Sequence, residues 1–155
     1  MKKLMLLMIA AMIISFSFAQ NALKQSEIPA SIRTEFVKNY PYVESDEVIW
    51  EKERNNYKAS FNYSDSYYVV EFNERGNKHM TRMSLKEHEV PAYVKDYASK
   101  NHPEEMYKEV EKITDINGKV SYKMMIKDKV YDFDSNGNIV KDTEKVKIKD
   151  TETVR

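Results

Sequence analysis

Glu27-Ile28-Pro29-Ala30 recurs as Glu89-Val90-Pro91-Ala92 sixty-two positions later, and at the same offset Lys38-Asn39-Tyr40-Pro41 recurs as Lys100-Asn101-His102-Pro103. Across those fifteen-residue stretches six positions are identical, and Ile32/Val94 and Arg33/Lys95 are near matches. Further along, Phe72-Asn73-Glu74-Arg75-Gly76-Asn77 answers Phe133-Asp134-Ser135-Asn136-Gly137-Asn138 at an offset of sixty-one. One such match arises easily by chance; ordered matches at both ends of a unit do not. The pattern predicts two tandem repeat units, over residues 26–85 and 87–149.

Within each unit the hydrophobic period changes once. Pro29 and Pro91 suit the first turn of a helix, where a missing N–H costs nothing. Ile32, Phe36, Val37 and Tyr40 form one stripe at helical spacing, and Val94, Tyr97 and Ala98 form its counterpart. Pro41 and Pro103 then stop the helices, because the residue before proline avoids the α region. Beyond them the period becomes two: Tyr57, Ala59, Phe61 and Tyr63 alternate with polar residues, as do Val120, Tyr122, Met124 and Ile126. Strands are expected at 47–52, 57–63, 67–72 and 78–85, then at 108–113, 119–126, 129–133 and 139–148. Asn117-Gly118 signals a two-residue hairpin, while Asn55-Asn56 and Ser64-Asp65-Ser66 fit looser turns. Each unit is thus one helix followed by a four-stranded antiparallel meander, an α+β plan in which the helix covers the apolar face of the strands. Trp50 shares a face with Val48 and is expected in the core, as are Tyr57, Phe61, Tyr63, Phe72, Tyr122 and Phe133.

Residues 1–19 set the address. Met1-Lys2-Lys3 is followed by an uncharged, mostly apolar run from Leu4 to Phe18, and Ser17-Phe18-Ala19 places small residues at −3 and −1 of a cut before Gln20. That is the anatomy of a secretory signal peptide, too short to span a bilayer, so a periplasmic or secreted protein is expected. The whole chain holds 25 Lys+Arg against 25 Asp+Glu. Removing Lys2 and Lys3 leaves 23 − 25 = −2, which provides no basic field for nucleic acid or for an anionic membrane after cleavage. The absence of Cys excludes disulfides, thiolate chemistry and Cys-ligated metals, and three Gly in 155 residues exclude a phosphate-cradling Gly-rich loop. Asp150 onward is expected to fray, behind an edge strand guarded by lysines around Val146 and Ile148.

The repeated plan of Ile/Val-Pro, helix, Tyr/His-Pro, then Trp50, Tyr57 and Phe-x-x-x-Gly (Phe72 to Gly76, Phe133 to Gly137) resembles the PepSY-like, β-lactamase-inhibitor-like secreted proteins of Bacteroidetes-type bacteria. The resemblance covers nearly all of the chain after the leader. It implies two tandem α-β-β-β-β units forming one curved antiparallel sheet with helices on one face. In the related inhibitor protein, the concave face of such a sheet clasps an enzyme. Two positions depart from the family pattern: Asn73 stands where an Asp is usual, and Glu111-Lys112 occupies the place of a second Trp. The inhibitor's contact residues have no counterparts here, so inhibition of β-lactamase does not follow from the likeness.

No residue pattern marks a catalytic centre. His79, His88 and His102 are the only imidazoles, and none lies four residues from another. No Gly-x-Ser-x-Gly elbow occurs, and no pair among the acids is singled out for acid–base work. The run Asp132 to Asn138 reads like the opening of a calcium loop, but position twelve is Thr143 where a bidentate carboxylate is required. A hairpin corner with solvated acids explains the run better. Neither metal nor cofactor is expected. The remaining function is non-catalytic binding of a protein or peptide through the open sheet face, as an inhibitor or modulator of an envelope enzyme would bind. A small-ligand or cation-binding envelope protein is the alternative. If Tyr68, Val70 and Phe72 face the helices, the pleat sends Tyr67 and Val69 to the other side, with Lys58, Ser60, Lys123 and Met125. Lys58, Tyr67, Val69, Lys123 and Met125 are the expected partner contacts, since Tyr and Met are enriched at interface cores.

Overall fold

The computed structural model describes residues 22–144, with side chains through Val140. The leader at 1–19, the tail at 150–155 and the expected end of the last strand at Ile148 lie outside the described residues. The chain divides into two compact units between Thr81 and Arg82. The first holds helix α1 (Ala30–Asn39) and strands β1 (Ile49–Glu53), β2 (Asn56–Tyr63) and β3 (Ser66–Asn73). Strand β4 (Lys78–Ser84) straddles the division, and α2 (Ala92–Asn101), β5 (Tyr107–Asp115), β6 (Val120–Ile126), β7 (Lys129–Asp134) and β8 (Ile139–Glu144) follow. The strands follow chain order from β1 to β8 in one open sheet, and the paired strands run antiparallel, as the α+β plan requires.

The two helices begin and end alike. Pro29 precedes the first helical residue rather than occupying it: at φ −53 and ψ 140 it is the N-cap. Its carbonyl accepts the N–H groups of Ile32 and Arg33 at 3.0 and 3.1 Å. Pro91 does the same for Val94 and Lys95 at 3.0 and 3.3 Å. The last turns close when Tyr40 N–H donates to the Phe36 carbonyl and His102 N–H to that of Ala98. In α1 the buried stripe is Ile32 and Phe36, continued by Tyr40. Val37, expected in that stripe, is 56 % exposed. It sits one step around the helix from the line that i, i+4 spacing draws through the other three.

Each unit closes its own core. In the first, Trp50, Ala59 and Val70 lie opposite one another across β1, β2 and β3, and Tyr57 faces Phe72. These side chains and Phe61 pack with Ile28, Ile32, Phe36 and Tyr40. Phe36 meets Trp50 and Phe61 edge-on at 5.3 and 5.0 Å between ring centroids, a favoured aromatic geometry. In the second unit Val110, Met124 and Tyr131 form the equivalent cross-strand row, and Val94 and Ala98 of α2 close over them. His102, at the place of Tyr40, lies 5.2 Å from the Tyr131 ring and 6.1 Å from that of Tyr97.

The turns differ from expectation. Ser64-Asp65 is a tight two-residue hairpin, with Tyr63 paired to Ser66 and both loop residues at positive φ, 49° and 61°. Arg54-Asn55, where a looser Asn55-Asn56 turn is expected, and Lys127-Asp128 are two-residue loops as well, since Glu53 pairs with Asn56 and Ile126 with Lys129. Asn117-Gly118 instead belongs to a longer turn, in which only Gly118 has positive φ. That longer turn is built three times, around all three glycines. Asn73, Asp115 and Asp134 each accept the N–H groups two and four residues ahead on the side-chain Oδ1, at 2.8–3.0 Å. In each, the glycine N–H donates back to the first residue's carbonyl. Asn73 serves as well as Asp because only an acceptor oxygen is needed. Gly76, at φ +86, also lies against α1: a Cβ there would stand 2.9 Å from Ser31 Cβ, whereas one on Gly118, at φ +78, would meet nothing. Gly118→Ala should therefore cost about 1 kcal/mol, the left-handed backbone penalty alone. Gly76→Ala should cost about 2–3 kcal/mol, because α1 must also shift. Urea unfolding of the two variants measures the difference, and equal losses would show that the turn does not press on the helix.

Candidate binding surface

In each unit the strand face away from its own helix carries the residues expected to meet a partner. In the first unit, register places Ile49, Ser60 and Val69 in one row and Glu51, Lys58 and Glu71 in the next. The second unit repeats both rows as Glu109, Met125 and Val130 beside Glu111, Lys123 and Asp132. An acid, a lysine and an acid thus stand side by side on three successive strands in each unit. Opposite charges across strands contribute a few tenths of a kcal/mol up to about 1 kcal/mol each.

Of the five expected contacts, Tyr67 is open to solvent at 45 % exposure. Met125 and Lys123 are half-buried in the second unit. Lys58 is half-buried and engaged, with its Nζ 3.2 Å from Glu53 and 3.9 Å from Glu51. Val69 does not fit the expectation: it is only 8 % exposed, and its cross-strand partner Ser60, also expected to face outward, is 6 % exposed. Both sit mid-strand, flanked on their own face by the longer side chains two residues away, Lys58 and Asn62 or Tyr67 and Glu71. Val69 therefore supports its neighbours instead of offering contact area. The residue that alternation did not single out is Ile49, on the same row and 57 % exposed. Val48-Ile49-Trp50 is continuously apolar, so no period identified its outward member. In the second unit burial, then the neighbouring Glu111 charge, raises the Glu109 carboxyl above the ordinary range.

The corner once open to a cation reading is occupied by its own turn. Asp134 Oδ1 accepts Asn136 and Asn138 N–H, and Oδ2 accepts the Asn138 side-chain amide at 2.9 Å. Among the described residues no three His, Asp or Glu side chains are grouped to hold a metal. Two further networks lie at the end of α2. The Tyr107 hydroxyl donates to Glu87, which Lys95 also approaches at 3.3 Å; burial and that carboxylate push Tyr107 up to about 12. Glu105 pairs with Lys127 and stands 3.6 Å from His102 Nδ1.

The family model "Putative beta-lactamase-inhibitor-like, PepSY-like" matches residues 16–69 and again 55–141. The chain belongs to this PepSY-like family, and the double match agrees with a tandem repeat. Solved structures share the fold at low identity. A DUF2874 family protein from Bacteroides ovatus is 20% identical with a TM-score of 0.66, over 81% of this chain and 93% of that one. A BLIP-like protein from Bacteroides fragilis is 19% identical with a TM-score of 0.64, over 82% and 93%. A chain from Bacteroides eggerthii named among "putative periplasmic proteins" is 18% identical with a TM-score of 0.66, over 75% and 88%. No curated protein matches. Among the described residues no helix is long and apolar enough to cross a membrane.

The Asp134 turn makes a pH-dependent prediction. Hydrogen bonds from the Asn138 side chain first, then from backbone N–H groups, hold its carboxyl below the ordinary carboxylate range. A depressed folded pKa contributes stability that is present above the unfolded value of 3.8 and is lost as pH falls through the folded one. Asp134→Asn keeps the acceptor oxygen that Asn73 uses in the first unit, so the fold survives. Below about pH 4 the variant should lose stability less steeply than the parent. Thermal melts from pH 7 to pH 2 test this, and parallel curves would count against it.

Proposed function

We propose that the protein is a non-catalytic binding module of the cell envelope that recognises a protein or peptide through the open face of its sheet. The carrying observation is the division of labour within each unit. One sheet face is closed by the helix and its aromatic core; the other leaves Ile49, Tyr67 and Met125 beside the charged rows. Tyr and Met supply contact area while neighbouring charges orient a partner and speed its encounter. The family description, beta-lactamase-inhibitor-like, supports action by occupying another protein rather than by chemistry. The leader and the envelope names of the structural neighbours support the compartment. Restraint of an envelope enzyme is the form of activity that fits both.

The test is capture of an envelope protein on immobilised chain starting at Gln20, followed by binding measurements with that protein once it is identified. Tyr67→Ala and Met125→Ala should each weaken binding about tenfold while stability stays within about 1 kcal/mol of the parent. Val69→Ala should instead lose about 1–2 kcal/mol of stability, because its side chain is buried. Unchanged affinity in both Tyr67→Ala and Met125→Ala would remove the sheet face from consideration.

A further inference from the structure

One polar region of the first unit lies apart from its core. At its hairpin end, a concavity of 570 Å³ is lined by Glu53, Arg54, Asn55, Asn56, Lys58 and Glu71. A second concavity of 260 Å³ shares Asn55 and Asn56 and adds Asn73, Glu74, Arg75 and Asn77. Four carboxamides and two guanidiniums are thus gathered on one continuous polar groove. The side chains of Asn55, Asn56 and Asn77, and the guanidiniums of Arg54 and Arg75, have no hydrogen-bond or ion-pair partner among the described residues. Lys58, by contrast, is held by Glu53 and Glu51. Arg54 takes φ +55, the left-handed backbone that Ser64, Asp65 and Lys127 also adopt in two-residue hairpins. The corresponding turns of the second unit carry Ile116 and Asn117, and Ser135 and Asn136, with no arginine. The repeats match in their cores and differ here.

We propose that this groove binds a saccharide bearing a carboxylate. Free carboxamides each offer two donors and an acceptor, the pattern that vicinal hydroxyls satisfy. Arg54 and Arg75 supply forked donors whose geometry matches a carboxylate. Glu53, Glu71 and Glu74 repel a compact multiply charged anion, while the Glu74 carboxylate accepts hydrogen bonds from hydroxyl groups. A ligand with one carboxylate per sugar ring and hydroxyls between carboxylates meets all three conditions. The groove goes beyond recognition by the sheet face, and its variants leave Tyr67 and Met125 untouched, so the two proposals fail separately.

Nitrogen-15 NMR titrations of the chain from Gln20 provide the test, with trigalacturonate, maltotriose and citrate as probes. Trigalacturonate should shift the side-chain NH₂ signals of Asn55, Asn56 and Asn77 and the Nε–H signals of Arg54 and Arg75. Maltotriose, which lacks the charge-assisted bonds, should bind the same nuclei about tenfold more weakly. Arg54→Gly suits the positive φ, so it should fold at least as well as the parent while losing about tenfold in affinity for trigalacturonate. Arg75→Ala should lose a similar factor. Absence of shifts with trigalacturonate, or undiminished binding in both variants, overturns the site. Citrate binding as tightly as trigalacturonate at the same nuclei overturns the saccharide and leaves a simple anion patch.

Discussion

Two ten-residue helices exist in this protein because of what they cover. Helices that short are marginal in water on their own, and neither α1 nor α2 has a side-chain N-cap bond to help it. Burial of Ile32 and Phe36 on the Trp50, Phe61, Val70 and Phe72 face sustains the first. Burial of Val94 and Ala98 on Val110, Met124, Tyr131 and Phe133 sustains the second. The dependence is mutual: a meander with one apolar face needs a cover, and removing either element exposes the other's apolar surface. Two of the three glycine turns serve the same end, since Gly76 and Gly137 lie against Ser31 and Tyr93, equivalent residues near the start of each helix.

That constraint decides which side of the sheet is available for function. The helix side is filled by large side chains, eleven of which are under 2 % exposed. The other strand face in each unit carries the charged rows, with Ile49 and Tyr67 exposed in the first unit and Met125 half-buried in the second. On that face the acid–lysine–acid rows recur at equivalent register in both units. In the first unit Lys58 bridges its row, with Nζ 3.9 Å from Glu51 and 3.2 Å from Glu53 at the strand end.

Most of the fold was legible because its signals are local and occur twice. The offset of sixty-two between the Pro-bounded helices, and the alternation of Tyr57, Ala59, Phe61 and Tyr63, report directly on buried faces. What escaped was decided by neighbours absent from the local pattern. Val37 reads as core by hydropathy, yet the helix turns it away; Val69 and Ser60 read as open by alternation, yet both are buried mid-strand. Turn chemistry misled for a related reason. Asn117-Gly118 matches a two-residue hairpin by composition, but Asp115 two positions earlier takes Asn117 and Lys119 N–H on its carboxylate and draws the chain into the longer form. Tight hairpins fell instead to Arg54-Asn55, Ser64-Asp65 and Lys127-Asp128, where the strand registers leave only two residues between partners.

The repeat also separates structural from functional demands within one molecule. Positions that hold the fold are matched across units: Pro29 with Pro91, Ile32 with Val94, Phe72 with Phe133, Gly76 with Gly137. The face rows are matched in charge, Glu51 and Lys58 with Glu111 and Lys123. The hairpin between the first two strands of each unit is not: Arg54-Asn55 spans two residues, and its counterpart uses Asp115 to Lys119. Arg54 shares its positive φ with Ser64, Asp65 and Lys127, so the two-residue hairpins use non-glycine residues where the longer turns use glycine. The units therefore remain alike in architecture and differ in the side chains that this first hairpin presents, Arg54 and Asn55 against Ile116 and Asn117.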